Sequence, residues 1–168
     1  IEGTVTIKEV EKPRRPPRYY LGPRRAARET SVREEASKDV VVFLEGMPED
    51  RKSKPPAPNP RMLQQHGRFI PHVLPILAGS KVEFPNQDDF YHNVFSVVAG
   101  DRFDLGRFAA GKSLWQQFDK KGVVIVRCEI HSNMKAFILV LENSYFAVPD
   151  STGRFEIPNV PAGLYTLK

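Results

Sequence analysis

The stretch Val123-Val124-Ile125-Val126-Arg127-Cys128-Glu129-Ile130-His131-Ser132-Asn133-Met134 organises the interpretation of this 168-residue chain. Its first half is rich in β-branched residues, which favours a β-strand that ends at Cys128. Cys128 is the single cysteine, and a histidine and a methionine follow it at intervals of three residues. A strand end followed by a turn can present all three side chains to one point.

Thiolate, imidazole and thioether are ligands of copper sites that transfer electrons, and such a site also needs a second imidazole. The upstream segment around His92 is the obvious source of that imidazole. We therefore predict His92, Cys128, His131 and Met134 as the ligands of one copper ion. A rigid β scaffold suits this chemistry, because it holds one compromise between the geometries that Cu(I) and Cu(II) prefer. Asn93 is predicted to hydrogen-bond across to the ligand loop.

Taken singly, each of these ligands has an ordinary explanation. A cysteine at a strand end is usually a small buried hydrophobe, and His131 and Met134 suit surface and core positions. A zinc site is the weaker metal alternative, because methionine is a poor zinc ligand. It is the joint presence of the four residues that favours copper.

Other chemistry-bearing residues receive plainer interpretations. His72 lies in an apolar segment and fits an edge or core position, although a second metal site formed with His66 stays open. Asp88 and Asp89 are read as turn residues rather than as acid–base machinery. Trp115, in an alternating strand, is expected in the core.

The remaining chain predicts short strands separated by glycine and proline turns, which is typical of an all-β sandwich. Phe69 to Ala78 is interrupted by two prolines and is predicted as a kinked edge strand. Phe103 to Phe108 contains a glycine and is predicted as irregular. Further strands are expected at residues 4–10, 40–44, 81–84, 92–98, 113–118, 123–128, 135–141, 154–157 and 164–167.

The net charge of +5 resides in one segment. Residues 11–38 carry nine Lys/Arg against four Asp/Glu, whereas the rest of the chain balances at sixteen of each. This proline- and arginine-rich composition is typical of an arm rather than of a packed core. We expect the arm to dock on its own sandwich or on another subunit and to recognise partners.

At the ligand segments the sequence resembles the cupredoxins, the family of plastocyanin, amicyanin and azurin. The similarity lies in Phe69-x-Pro71, in Ala78 to Asp88 followed by His92-Asn93-Val94, and in Gly111 to Phe118 followed by Cys128-x-x-His131-x-x-Met134. The resemblance, which is nearest to plastocyanin-like proteins of the methylamine-utilisation kind, implies a Greek-key β-sandwich of the cupredoxin type with extra flanking strands. It also implies one type 1 copper site with His92, Cys128, His131 and Met134 as ligands.

The resemblance covers residues 69–142 and implies further domains around them. The strands at 1–10 and 40–46, together with residues 143–168, resemble a carboxypeptidase regulatory-like β-sandwich. Residues 47–68 are predicted as a proline-rich linker, and residues 11–38 form the basic arm.

The implied function is that of an electron carrier, not an enzyme, which shuttles single electrons between redox partners in the periplasm or another extracytoplasmic space. A signal peptide is presumed removed, and no run of about 18 apolar residues predicts a membrane span. Redox partners, acidic ones among them, are expected at the His131 edge and at the arm. The alternative is an interaction or structural subunit of a larger extracytoplasmic complex in which copper is incidental or absent. Nucleic-acid binding through the arm is a weaker third hypothesis, because only Tyr19 and Tyr20 could stack on bases.

Overall fold

A computed structural model describes residues 1–6, 39–48, 54–55, 57–97 and 102–168. The basic arm, residues 11–38, lies outside the described residues. In the described part the regular structure is all strand, as predicted, and no helix has the length and hydropathy to span a membrane. The strands are β1 Glu2–Thr4, β2 Val42–Glu45, β3 Leu63–Gln65, β4 Arg68–Ile70, β5 Val73–Leu77, β6 Ser80–Pro85, β7 His92–Ser96, β8 Phe103–Phe108, β9 Ser113–Phe118, β10 Gly122–Arg127, β11 Lys135–Leu141, β12 Phe146–Ala147, β13 Arg154–Glu156 and β14 Thr166–Leu167.

The chain divides into two compact units. One comprises Ile1–Phe43, Tyr145–Gly163 and Leu167–Lys168, and the other comprises Leu44–Ser144 and Leu164–Thr166. The resemblance of the terminal strands to a carboxypeptidase regulatory-like β-sandwich stays a prediction.

The larger unit is built around a five-stranded sheet in the order β5-β11-β10-β7-β8 and a two-stranded sheet of β6 and β9. The central pair β10–β11 is antiparallel from Gly122↔Val140 to Arg127↔Lys135. The alternation of β10 explains its place, because Val124 and Val126 are fully buried whereas Val123 is 54% exposed. Side chains of both sheets, including Val82, Phe84 and Phe118 from β6 and β9, share one apolar core.

Two strands depart from the sequence-based interpretation. The segment Phe103 to Phe108 was predicted as irregular, but it forms β8, which pairs with β7. Gly106 has a positive φ of 70°, and the register of the β7–β8 pair shifts between Asn93 and Phe95. The irregularity therefore lies within the strand pair and does not interrupt β8. Phe69 to Ala78 forms two strands, β4 and β5, and the edge position predicted for it is correct for β5.

The linker predicted for residues 47–68 is wrong in its last part. Leu63–Gln65 and Arg68–Ile70 form a hairpin, and both Gln64 within it and Met62 just before it are fully buried. The prolines that suggested a linker lie upstream of this hairpin, and a three-residue strand is too short to show a clear alternation.

The core position that was predicted for Trp115 is also wrong. Its side chain is 39% exposed on β9, opposite Glu83 of β6. The ammonium of Lys81 lies 5.3 Å from the ring centroid, a cation–π contact on the outer face of the sheet. The alternation of β9 was predicted correctly, but the large apolar residue lies on its outer side.

In the smaller unit, β1 pairs with β13 from Glu2↔Glu156 to Thr4↔Arg154. Phe43 and Lys168 exchange two backbone hydrogen bonds, and β12 pairs with β2 through Phe146↔Phe43. Gly153 has a φ of 85°, and a Cβ there would collide with the carbonyl of Val5, so the turn before β13 requires glycine.

Candidate metal centre

The ligand loop connects two adjacent strands of the five-stranded sheet. Cys128 directly follows β10, and β11 begins at Lys135. The amide of Cys128 donates to the carbonyl of Met134 at 3.3 Å, and the amide of Met134 donates to the carbonyl of His131 at 2.9 Å. These bonds close the loop on itself, so His131 returns towards the cysteine.

Three of the four predicted ligands converge. Cys128 Sγ lies 3.8 Å from His92 Nδ1 and 3.8 Å from His131 Nδ1. The three ligand atoms all lie within 4.8 Å of one another. A metal bonded to nitrogen and sulfur at roughly 2.0–2.3 Å in a trigonal plane would separate its ligands by about 3.7 Å. The spacing of the sulfur from each imidazole therefore fits one metal ion.

Burial differs among the three groups. His92 and Cys128 are buried, whereas His131 is half-buried. His131 is thus the member of the cluster with a solvent-facing edge, as the sequence analysis expected. A site of this kind is shielded from water but reachable from the surface through one imidazole.

Met134 lies at the end of the same loop. It is 2% exposed and belongs to the same apolar core as Cys128. Its backbone makes both of the bonds that close the loop. Met134 as a copper ligand stays a prediction.

Asn93 ties the two ligand-bearing segments together, as predicted. Its amide donates to Cys128 Sγ at 3.5 Å, and its Oδ1 accepts from the Glu129 amide at 3.2 Å. Its Nδ2 donates to Asp104 Oδ1 at 2.7 Å, which also accepts from the Gly106 amide. The backbone N–H thus contacts the cysteine sulfur, and the side chain fixes the ligand loop.

Asp88 is the residue that the sequence analysis missed. Its Oδ2 lies 2.8 Å from His92 Nε2, and the carboxylate also accepts from the amides of His66 at 2.6 Å and Gly67 at 2.9 Å. Burial by itself would raise the pKa of the Asp88 carboxyl. The hydrogen bonds from Gly67, His92 and His66, together with the charge interaction with His92, lower that pKa below its ordinary value.

The turn interpretation of Asp88 was therefore incomplete. Its amide does donate to Asn86 Oδ1 at 3.1 Å, which is turn chemistry. The available signal was a carboxylate four residues before a predicted ligand, because a metal-bound histidine commonly donates its other N–H to such a group.

Phe90 is an apolar neighbour of the cluster whose contact with both imidazoles the sequence did not predict. Its ring packs edge-on against both imidazoles, with centroids 5.0 Å from His92 and 5.2 Å from His131. The two imidazole centroids are themselves 5.0 Å apart. The aromatic ring thus restrains the orientation of both candidate ligands.

His66 and His72 take no part in this cluster. Within the described residues, His92, Cys128 and His131 form the one group of three close metal-ligand side chains. His66 and His72 are exposed, and the ring of His72 lies edge-on to Phe137 at 5.4 Å. A core position for His72 is therefore wrong, whereas its place at the start of an edge strand is correct.

The chain is similar to cupredoxins of known structure. No family model matches it, and neither does any curated protein. Similar solved structures include an amicyanin from Paracoccus versutus, 19% identical, with 59% of this chain and 98% of that one covered at a TM-score of 0.47. A purple cupredoxin from Nitrosopumilus maritimus is 20% identical, with coverage of 49% and 100% and a TM-score of 0.45. A copper-containing nitrite reductase from Thermus scotoductus is 28% identical, and the match covers 50% of this chain but only 22% of the reductase, at a TM-score of 0.48.

Proposed function

We propose that this protein is a type 1 copper electron carrier in which His92, Cys128, His131 and Met134 would hold the copper ion. The observation that carries the proposal is the pair of 3.8 Å separations between one cysteine sulfur and two imidazole Nδ1 atoms. A single thiolate with two imidazoles and a nearby methionine is a donor set that favours copper over zinc.

When bound, copper would supply the one-electron couple. The residues of the chain hold the ligands at fixed positions, because His92 and Cys128 are buried at strand termini and the loop is closed by backbone bonds. Such a frame changes little when the oxidation state changes, so the reorganisation that accompanies electron transfer stays small.

Electrons would enter and leave through the half-buried edge of His131. Two exposed apolar side chains lie beside it: Phe90, 41% exposed, whose ring packs against His131, and Ile130, 40% exposed, the preceding residue in the chain. Exposed apolar side chains beside the candidate ligand suit a transient redox partner, which needs a small and quickly released interface. Placement in the periplasm or another extracytoplasmic space is part of the same proposal.

The deciding experiment is an optical spectrum of the copper-loaded protein. We expect an intense visible thiolate-to-copper absorption, which Cys128→Ser abolishes. His72→Ala, a change at an exposed histidine outside the cluster, is the matched control and should leave the band unchanged. A loaded protein without this band, or a band that survives Cys128→Ser, would reject the proposal.

An enzymatic role is the competing function, since one of the similar structures is a nitrite reductase. The test is nitrite consumption by the loaded protein with an artificial reductant. An electron carrier should accept electrons from the reductant and consume no nitrite. Sustained turnover would show that the protein is an enzyme.

A further inference from the structure

The second hydrogen-bonding nitrogen of His92 is held by an unusually well-defined acceptor. Asp88 receives two backbone N–H groups, from His66 and Gly67, and lies 2.8 Å from His92 Nε2. Both carboxylate oxygens are engaged, Oδ1 with His66 and Oδ2 with Gly67 and His92. Asp88 is 9% exposed and His92 is fully buried, so water competes little for these bonds.

We propose that the His66–Gly67 turn, acting through Asp88, fixes the tautomer of His92 so that Nε2 carries the proton and Nδ1 faces Cys128 with a free lone pair. The turn is thereby a positioning device for a metal ligand, although it lies more than twenty residues from His92 in sequence. The tautomer is a property of the metal-free chain, whereas its consequence for copper rests on the proposed function.

Backbone amides of the turn determine the hydrogen-bonding role of Asp88. An amide N–H can only donate, so the two amides of the turn require Asp88 to act as an acceptor towards them. A carboxylate held in this way presents another lone pair to His92, and the favourable partner for it is an imidazole N–H. The proton of neutral His92 is therefore placed on Nε2, and Nδ1, 3.8 Å from Cys128 Sγ, becomes the acceptor nitrogen.

The geometry of the turn explains how two successive amides reach one carboxylate. His66 and Gly67 have positive φ angles of 55° and 65°, which are those of a two-residue hairpin turn between β3 and β4. Glycine adopts such a φ at little cost, and a non-glycine residue such as His66 adopts it less readily. This less favourable backbone conformation occurs in the turn whose amides bind Asp88, the carboxylate that contacts the candidate ligand His92.

The hairpin is also fixed to the segment that leads to His92. Gln64 is fully buried, its carbonyl accepts from the Gln87 amide at 2.9 Å, and Gln64 and Asn86 form a parallel bridge. The turn and Asp88 are thus held from both sides. Displacement of the turn should be felt at His92 rather than absorbed by a loose loop.

The test is nuclear magnetic resonance of the metal-free protein at a pH of about 8.5, where histidine side chains are generally neutral. Long-range correlations between ring nitrogens and carbons report the tautomer of each of the four histidines. Assignment uses His→Gln variants at the other three positions. We expect His92 to be protonated at Nε2 in the wild type and a mixture of tautomers in Asp88→Asn. Asp89→Asn, the same change at the exposed neighbouring residue, is the control and should leave the His92 tautomer unchanged.

A second variant tests the turn itself with less risk to folding. Gly67→Ala forces a Cβ onto a positive φ, and nothing lies within 4 Å of that Cβ, so the change acts on the backbone alone. Gly46→Ala is the matched control, since Gly46 also has a positive φ and open space around a Cβ. We expect Gly67→Ala to shift the His92 tautomer population, whereas Gly46→Ala does not.

Copper affinity gives the second readout. Competition with a chelator should show roughly 10–100-fold weaker binding for Asp88→Asn than for Asp89→Asn. Unchanged tautomer and unchanged affinity in Asp88→Asn, or an Nδ1-protonated His92 in the wild type, would overturn the inference. A correct tautomer in a protein that lacks the visible copper band would reject the proposed function and leave the role of the turn standing.

Discussion

Cys128 differs from an ordinary buried cysteine in what faces its sulfur. The neighbours of Sγ are two imidazole nitrogens and the Asn93 amide, rather than apolar carbon alone. A cysteine that only fills core volume does not need polar neighbours, because burying polar groups carries a free-energy cost. At the residue scale, the polar surroundings of the Cys128 sulfur are those of a candidate metal site rather than of a packing position.

Asn93 allows a prediction at the same scale. Asn93→Ala removes the acceptor of the Glu129 amide and the donor to Asp104 in a side chain that is 2% exposed. We expect the free energy of unfolding of the metal-free protein to fall by about 1–3 kcal/mol, measured by urea titration. Asn133→Ala, at an exposed position of the ligand loop, should change it far less. Equal effects of the two variants would contradict the bridging role of Asn93.

At the scale of elements, β10 shows how a strand serves both core and site. Its inward residues Val124 and Val126 anchor it in the core, and its last residue precedes Cys128. Six consecutive register pairs join it to β11, so the two ends of the ligand loop emerge from one rigid ladder. Precision at the site therefore depends on packing along the strand.

Substitution along β10 tests this dependence. Val124→Ala should lower the free energy of unfolding by about 2 kcal/mol, since two methylene equivalents at roughly 0.8 kcal/mol each are lost and a cavity is left. The neighbouring Val123→Ala, which makes the same change on the exposed face, should alter it by less than about 0.5 kcal/mol. Thermal or urea unfolding followed by circular dichroism measures both. A larger loss for Val123→Ala would mean that the face assignment is wrong.

The turn before β13 gives a pH-dependent prediction. The Thr152 hydroxyl, then the Arg154 amide, and also the Thr152 amide donate to Asp150 Oδ1, and they lower the pKa of this carboxyl below its ordinary value of 3.8. A lowered folded-state pKa contributes stability above the unfolded pKa, and that stability is lost as the pH falls through the folded value.

The measurement is an NMR titration of the Asp150 side-chain carbon. We expect the midpoint below 3.8 in the wild type and closer to that value in Thr152→Ala. Ser151→Ala, which removes the hydroxyl of the preceding residue, should show the same Asp150 midpoint as the wild type. An identical midpoint in all three proteins would show that the Thr152 hydroxyl does not bind the carboxylate in solution.

At the scale of the whole molecule, the charge of the chain and the candidate site are separate features. The net charge of +5 belongs to residues 11–38, whereas the remaining residues balance. Long-range attraction of an anionic partner would therefore come from this segment, and it would weaken as salt rises. The candidate site would then supply the path of the electron, whereas residues 11–38 would supply the long-range attraction of the partner.

Deletion of residues 11–38, with a short Gly/Ser linker in their place, tests that division. The visible copper band should persist, while oxidation of the reduced protein by hexacyanoferrate(III), an anion, should become slower and less dependent on salt. A full-length variant with the nine Lys/Arg of the segment changed to Gln separates charge from length and should behave like the deletion. Loss of the band on deletion would assign the segment to the scaffold instead.

Local patterns in the sequence determined the class of fold and the core of the candidate site. Alternation along β10 and the spacing of Cys128, His131 and Met134 are properties of neighbouring residues, since a strand end and a short turn bring such side chains together without reference to the rest of the chain. The all-β prediction is confirmed for the described residues, and His92 lies beside Cys128 as expected.

Only the tertiary structure decided which groups hold the candidate ligands in place from outside the cluster. The donors that hold Asp88 are backbone amides of a hairpin more than twenty residues away, and every residue except proline carries such an amide. A side-chain pattern therefore cannot reveal them. The outward side of Trp115 and the pairing of β8 with β7 were likewise set by which face packs and which partner strand is present. Those are long-range contacts, and periodicity along one segment does not encode its partner.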